Sequence, residues 1–250
     1  KNGYENRVPQ ILKTHFYEEP WLLLRQKNKD CMDDLISCKF NVTANKKIFA
    51  IGDSHIASLS LNLKNRMVEK KFQFISYINR ACIFFPEFNL IKRKTFEIYA
   101  GCDDNYFQKI KRTLSIEKNS IIIIGGRFPL YISNYHFDNQ EGGIEGNQYG
   151  KKYVPVGNYD NIQKSFQNEV SELSKDNKII LIYPIPEVGW NVPSKLSQSI
   201  PKKVNLIKDY LIPKNYITTS YKVYKNRTKS SFELLNSIQG DNIYRVYPHT

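Results

Sequence analysis

Ile48-Phe49-Ala50-Ile51-Gly52-Asp53-Ser54-His55 is the stretch whose reading decides the fold. Its four leading apolar residues read as a buried strand, and the residues from Ala57 to Glu69, carrying Leu59, Leu61, Leu63 and Met67, read as the helix that follows. Gly52 allows a sharp turn between the two, which holds the Ser54 hydroxyl out at the carboxyl edge of a sheet. The amide of Ser54 and those opening the helix then point at any oxyanion formed when that hydroxyl attacks an ester. A plainer reading stands beside it, in which Asp53 or Ser54 only caps the helix.

Outward from this turn, strand and helix patterns alternate. Strands are predicted at 47–51, 72–78, 120–124, 178–183 and 243–247, and helices at 57–69, 106–114, 162–173, 202–210 and 229–238. Five short apolar strands separated by helices predict an α/β fold, a three-layer sandwich around a mainly parallel five-stranded sheet of flavodoxin-like type. The stretch 82–102 around Pro86 looks irregular. The Gly- and Tyr-rich segment 129–160 is long for a connection, which makes it a candidate surface or substrate loop. Residues 1–46 lack sustained periodicity and read as a linker becoming an ordered lead-in, with the domain proper at 47–250.

In such sheets ligands bind beyond the carboxyl ends of the strands. The first strand delivers Asp53 and Ser54 there, the third Gly125-Gly126-Arg127, the fourth Tyr183-Pro184-Ile185-Pro186-Glu187 and the fifth His249. These residues are expected to surround one crevice. Gly125 and Gly126 permit close backbone approach, and Arg127 pins an acyl carbonyl or an anionic sugar group, or else simply pairs with an acid. A nucleophilic serine needs a base, and the chain has four histidines. His15 lies in the lead-in and His136 in the long loop. His55 is too close to Ser54 for its ring to turn easily onto that hydroxyl, so it packs or contacts substrate. His249 is best placed topologically, but no acid follows it.

With 41% hydrophobic residues in 250 the chain is not a disordered protein. Its formal net charge of +13 comes from scattered lysines such as Lys64, Lys118 and Lys229 rather than from one dense basic block, which argues against a nucleic-acid partner. The charge points only weakly to an anionic neighbourhood such as a phosphorylated glycan or a membrane surface, and a Lys- and Asn-rich coding bias is the plainer cause. Cys31, Cys38, Cys82 and Cys102 show no zinc-ligand spacing, so no metal is expected. Two sequence-local pairs fit disulfides, Cys31 to Cys38 and Cys82 to Cys102, in an oxidising compartment; four buried free thiols are the competing reading. The longest strongly apolar stretch, around Ile121 to Ile124, falls well short of a membrane span. Opening at Lys1 and stopping after a strand-like run, the chain is expected to be cut at both ends from something longer.

Gly52-Asp53-Ser54-His55 resembles the first block of SGNH-type hydrolases. Gly126-Arg127-Phe128 and the run from Ile182 through Pro184-Ile185-Pro186-Glu187-Val188-Gly189-Trp190 to Pro193 are similar to the SGNH domain fused to acyltransferase-3 membrane proteins, which O-acetylate bacterial surface glycans. Cys82 with Pro86, Cys102 and the lead-in from Asn2-Gly3 to Arg7 and Pro9 support the likeness, which covers most of the chain. It implies that Ser54 carries an acyl group to a hydroxyl of an O-antigen or similar polysaccharide, with Asp53, Gly126 and Arg127 in supporting or oxyanion roles. His55 and Glu187 are candidate substrate contacts.

Two departures qualify the likeness. Arg127 stands where the wider superfamily has an oxyanion asparagine, and the Asp-x-x-His that supplies the acid and base follows the last strand, so both residues are expected beyond Thr250. The whole protein is then expected in the bacterial inner membrane with this domain in the periplasm, its acyl donor delivered by an N-terminal membrane domain and no cofactor needed. A stand-alone esterase that deacetylates glycans and a non-catalytic glycan-binding domain are the alternatives.

Overall fold

The computed structural model describes residues 24–32, 36–99, 101–132, 137–145, 150–156, 161–190 and 219–249. Arg25–Gln26 (β1) and Lys29–Asp30 (β2) form a small antiparallel hairpin, and Cys38–Phe40 (β3) follows. The α/β body then runs through Lys46–Gly52 (β4), Ser54–Glu69 (α1), Phe72–Ile78 (β5), Phe88–Lys92 (β6), Asp104–Ser115 (α2), Ile121–Ile124 (β7) and Phe128–Ile132 (α3). Lys151–Pro155 (β8), Ile162–Asp176 (α4), Lys178–Ile182 (β9), Tyr221–Ser237 (α5) and Ile243–Val246 (β10) complete it.

The main sheet is six-stranded, in the order β10-β9-β7-β4-β5-β3. All five strands expected from the sequence are present and mutually parallel. The sixth corrects the expected count: β3, from the lead-in, pairs antiparallel on β5 with Cys38 opposite Ser76 and Phe40 opposite Phe74. A three-residue edge strand in a polar segment has no periodicity to read, and its pairing is set by the neighbour it covers. Two other segments also gain structure. The stretch 82–102 contains β6, and the segment after Pro129 contains β8, which pairs antiparallel with β6 in a separate two-stranded sheet.

β4 and β7 lie in the middle and are buried on both faces, which is why they read as unbroken apolar runs. Alternate residues feed two cores. Phe49, Ile51, Ile122, Ile124, Ile179 and Leu181 pack with α2, α4 and α5, whereas Ile48, Ala50, Phe74 and Ile123 pack with α1. This is the three-layer arrangement that the strand and helix alternation implies.

The four longer helices each begin on a side-chain cap. Asp53 caps α1, Asp103 caps α2 by accepting from Tyr106 N–H (3.0 Å), and Asn161 caps α4. α5 starts eight residues before its expected start at Lys229, capped by Ser220. Its inward face carries Thr228 and Ser231 between Tyr224 and Leu234, and these polar residues hide the apolar period. The expected helix at 202–210 lies outside the described residues.

The irregular chain after β5 is the deepest part of the larger core. Ile83, Phe84 and Phe85 are fully buried, and Phe85 meets Tyr153, Phe166 and Phe128 edge-on at centroid distances of 5.0, 5.5 and 6.3 Å. Such contacts add about 0.5–1.5 kcal/mol each to the burial of the rings. They join β8, α4 and α3 into one body, and that body forms a wall of the cleft described next.

Two disulfides are present, Cys31–Cys38 and Cys82–Cys102, and no cysteine among the described residues is free. The first ties the β1–β2 hairpin to the edge strand, and the second ties the chain leaving β5 to the start of α2.

Candidate active site

The β4–α1 turn is built around Asp53. Its carboxylate is buried and accepts two amides, that of His55 at Oδ1 (2.9 Å) and that of Arg127 at Oδ2 (2.8 Å). One side chain therefore caps α1 and fastens the carboxyl end of β4 to that of its neighbour β7. Burial pushes the Asp53 carboxyl above its ordinary value, opposed by the His55 imidazole, the two amides and the Arg127 charge.

The backbone approach at this junction requires glycine. A Cβ on Gly52 would collide with the carbonyl oxygen of Gly125, and one on Gly126 would lie 2.8 Å from Ile83 Cγ1 and 3.2 Å from Asp53 Cγ.

Ser54 is half-buried and is the first residue of α1. The next three amides of the turn are taken, that of His55 by the Asp53 carboxylate and those of Ile56 and Ala57 by the Asp53 carbonyl (3.0 Å each). The Ser54 amide has no partner among the described residues, so it is the first-turn donor left for a ligand.

Ser54 opens onto a cleft of about 280 Å³ lined by Asp53, Arg127, Arg80 and Ala81 after β5, Leu130 and Tyr131 of α3, Tyr99, and Lys151 of β8. The walls are braced. Tyr131 donates its hydroxyl to the Ala81 carbonyl (2.6 Å), and the Lys151 ammonium lies 3.6 Å from the centre of the Tyr99 ring. Asn79 donates its amide to the Gly52 carbonyl (3.1 Å) and its side-chain Nδ2 to the Gly101 carbonyl (3.0 Å), holding the β5 exit against the serine turn.

Arg127 turns its guanidinium into a buried ion cluster. Nε pairs with Glu187, Nη2 pairs with Glu145, and the second oxygen of Glu187 takes Nε of Arg227 from α5 (3.0 Å). Burial works against the charge on Arg127, but Glu187 and Glu145 outweigh it and hold its pKa above the ordinary arginine value. Of the two readings given for Arg127, pairing with acids is the contact made here. Glu187, proposed from sequence as a substrate contact, has its carboxylate occupied by two guanidinium groups. Pro184 and Val188 of the proline-rich block are also held through their carbonyls. Tyr224 donates to the Pro184 carbonyl (2.9 Å), and the Val188 carbonyl accepts from Thr219 Oγ1 (3.0 Å) and from buried Asn139 (2.9 Å).

The strand ends thus bring Asp53, Ser54, Gly126 and Arg127 together, while His249 goes elsewhere. Its ring sits among Tyr224, Phe232 and Tyr247 at 5.3, 5.5 and 6.0 Å, and it is not among the residues lining the cleft. His55 packs beside the turn and does not line the cleft, and His15 and His136 lie outside the described residues.

Sequence reasoning missed Arg80, Ala81, Tyr99, Leu130, Tyr131 and Lys151 in the cleft, and Glu145 and Arg227 in the ion cluster. The carboxyl-end rule applied to the second strand reaches Arg80 and Ala81. Leu130, Tyr131, Glu145 and Lys151 fall in the segment 129–160 read as a candidate substrate loop, though nothing singles them out within it, and no local signal marks Tyr99 or Arg227.

The family model for the SGNH domain (fused to AT3 domains) matches residues 25–250. The chain belongs to this family. No curated protein matches the sequence. The solved periplasmic domain of the lipopolysaccharide acetyltransferase of Salmonella ser. Paratyphi A is similar at 16% identity and a TM-score of 0.42, over 81% of this chain and 66% of that one, just under two thirds of its length.

Proposed function

We propose that this chain is the periplasmic domain of a membrane O-acyltransferase and that Ser54 carries the acyl group to a hydroxyl of a surface polysaccharide. The observation that supports this most is the position of Ser54, at the opening of α1 with its amide unpartnered, on a cleft whose floor Asp53 holds in place. In this reading Ser54 Oγ attacks the acyl carbonyl, forming an ester as the donor's leaving group departs. A sugar hydroxyl then attacks that ester and restores the serine hydroxyl. The Ser54 and Gly126 amides would hold the oxyanion of each step. The proton is assigned to the histidine of the Asp-x-x-His that the family resemblance places after the last strand, since none of the described residues lining the cleft is a histidine.

Membership of a family fused to AT3 domains supports a membrane-borne donor delivered from the N-terminal side. The two disulfides support an oxidising home, and the inner membrane facing the periplasm fits both.

The test is O-acetylation of surface polysaccharide by the full-length protein and by its Ser54→Ala form. We expect at least about a thousandfold loss of transfer in the variant. Equal rates would leave Ser54 as a helix-opening residue and the domain as a glycan binder. Release of free acetate without glycan acylation, still dependent on Ser54, would make the domain an esterase.

A further inference from the structure

The sheet of β6 and β8 has two faces, and only one belongs to the cleft. Past Lys92 the chain turns tightly, with Phe96 N–H donating to the Lys92 carbonyl and Lys92 N–H to that of Glu97 (both 2.9 Å), and Ile98 returns alongside Ile91. By the two-residue alternation of strands, Tyr99 and Lys151 face the cleft and Ile98 and Lys152 face away.

The outward face ends in an exposed tip. Phe96 is 68% exposed and Ile98 52%, and Phe96 sits at φ 58°, a left-handed conformation that a bulky residue rarely adopts. Lys152 shares this outward face and Lys92, Arg93 and Lys94 lie in the turn itself, against the single carboxylate of Glu97. Lys92 (2.8 Å) and the Thr95 hydroxyl (3.0 Å) already hold that carboxylate. Lys152 leans over the Phe96 ring, its ammonium 5.8 Å from the centroid, and neither Lys94 nor Lys152 has an ion-pair partner among the described residues.

We propose that this tip is a docking surface for an anionic phospholipid bilayer. A convex turn led by an aromatic and an isoleucine offers no groove for a peptide or a glycan. It fits a lipid interface, where the apolar side chains enter the acyl boundary and the long lysines reach back to the phosphates. The inference extends the proposed function, because a seated tip holds the Tyr99–Lys151 wall of the cleft close to the bilayer from which a membrane-borne acyl donor emerges. The binding itself needs no Ser54.

The experiment is sedimentation of the 250-residue chain with phosphatidylcholine vesicles, with and without phosphatidylglycerol. Binding is expected only with the anionic lipid and should weaken with salt. Lys94→Gln and Lys152→Gln should each lower affinity about fivefold, and Phe96→Ala about tenfold. Lys222→Gln, on the exposed face of α5, should change it little. Thermal melting of each variant checks the fold; Lys94, Phe96 and Lys222 are exposed and Lys152 is half-buried at the sheet edge, so unchanged midpoints are the expected result.

Equal binding to both vesicles, no binding to either, or a Lys222→Gln loss as large as that of Lys152→Gln would overturn the tip as a lipid surface. Retention by an acidic polysaccharide with vesicles ignored would do the same. None of these outcomes touches the Ser54→Ala assay, so the two ideas fail separately.

Discussion

At the scale of single residues, two carboxylates organise the site in different ways. Asp53 holds two amides from inside the protein, and burial raises its pKa above the ordinary 3.8. A carboxyl whose folded pKa exceeds its unfolded one stabilises the fold in its protonated form. That contribution is complete below about pH 4 and is lost as pH rises through the folded value. In urea titrations the stability of the wild type relative to Asp53→Asn should therefore fall as pH rises above about 4. A difference that grows with pH would show that the native state prefers the ionised carboxylate. Glu187 joins two buried guanidiniums, so Glu187→Ala should cost about 3–5 kcal/mol, read as a lowered denaturation midpoint, with Glu187→Gln costing less. The serine turn and Arg127 were legible in the sequence because a strand end predicts them. Glu145 was not, because its role depends on where a loop lands in space.

Among the elements, the parallel strands were the most legible, since central strands covered on both faces must be continuously apolar. β3, β6 and β8 were obscured by their shortness and their polar surroundings, and the start of α5 by the hydroxyls it turns inward. Of these pieces β8 supplies Lys151 to the cleft wall, and its attachment can be tested. Phe85 lies in unpatterned chain yet contacts rings from β8, α3 and α4. Phe85→Ala should destabilise the protein by about 3–5 kcal/mol, measured by denaturant unfolding. It should also loosen the Tyr131 and Lys151 sides of the cleft, seen as faster amide exchange in α3 and β8.

For the molecule as a whole, the two cross-links sit on the side of the sheet where β3 and β5 lie, and each closes a short loop. Replacing Cys82 and Cys102 with serine should cost about 3 kcal/mol, and replacing Cys31 and Cys38 about 2 kcal/mol, by chain-entropy reasoning for separations of 20 and 7 residues. Only the first change should also reduce the proposed transfer, because its loop carries Tyr99 into the cleft and its first cysteine follows directly on Ala81. Calorimetry in the presence and absence of reductant, set beside an activity assay, checks both statements.

The side-chain-free junction of Gly52, Gly125 and Gly126 has an evolutionary consequence. Relatives of this protein have almost no freedom to reshape the bottom of the recess, since any added methyl group there meets the main chain or a packed isoleucine. If the cleft takes a sugar as proposed, preference for one over another is then expected to diverge around the perimeter, at positions such as 80, 99 and 151, rather than at Tyr131, which is buried and tied to Ala81.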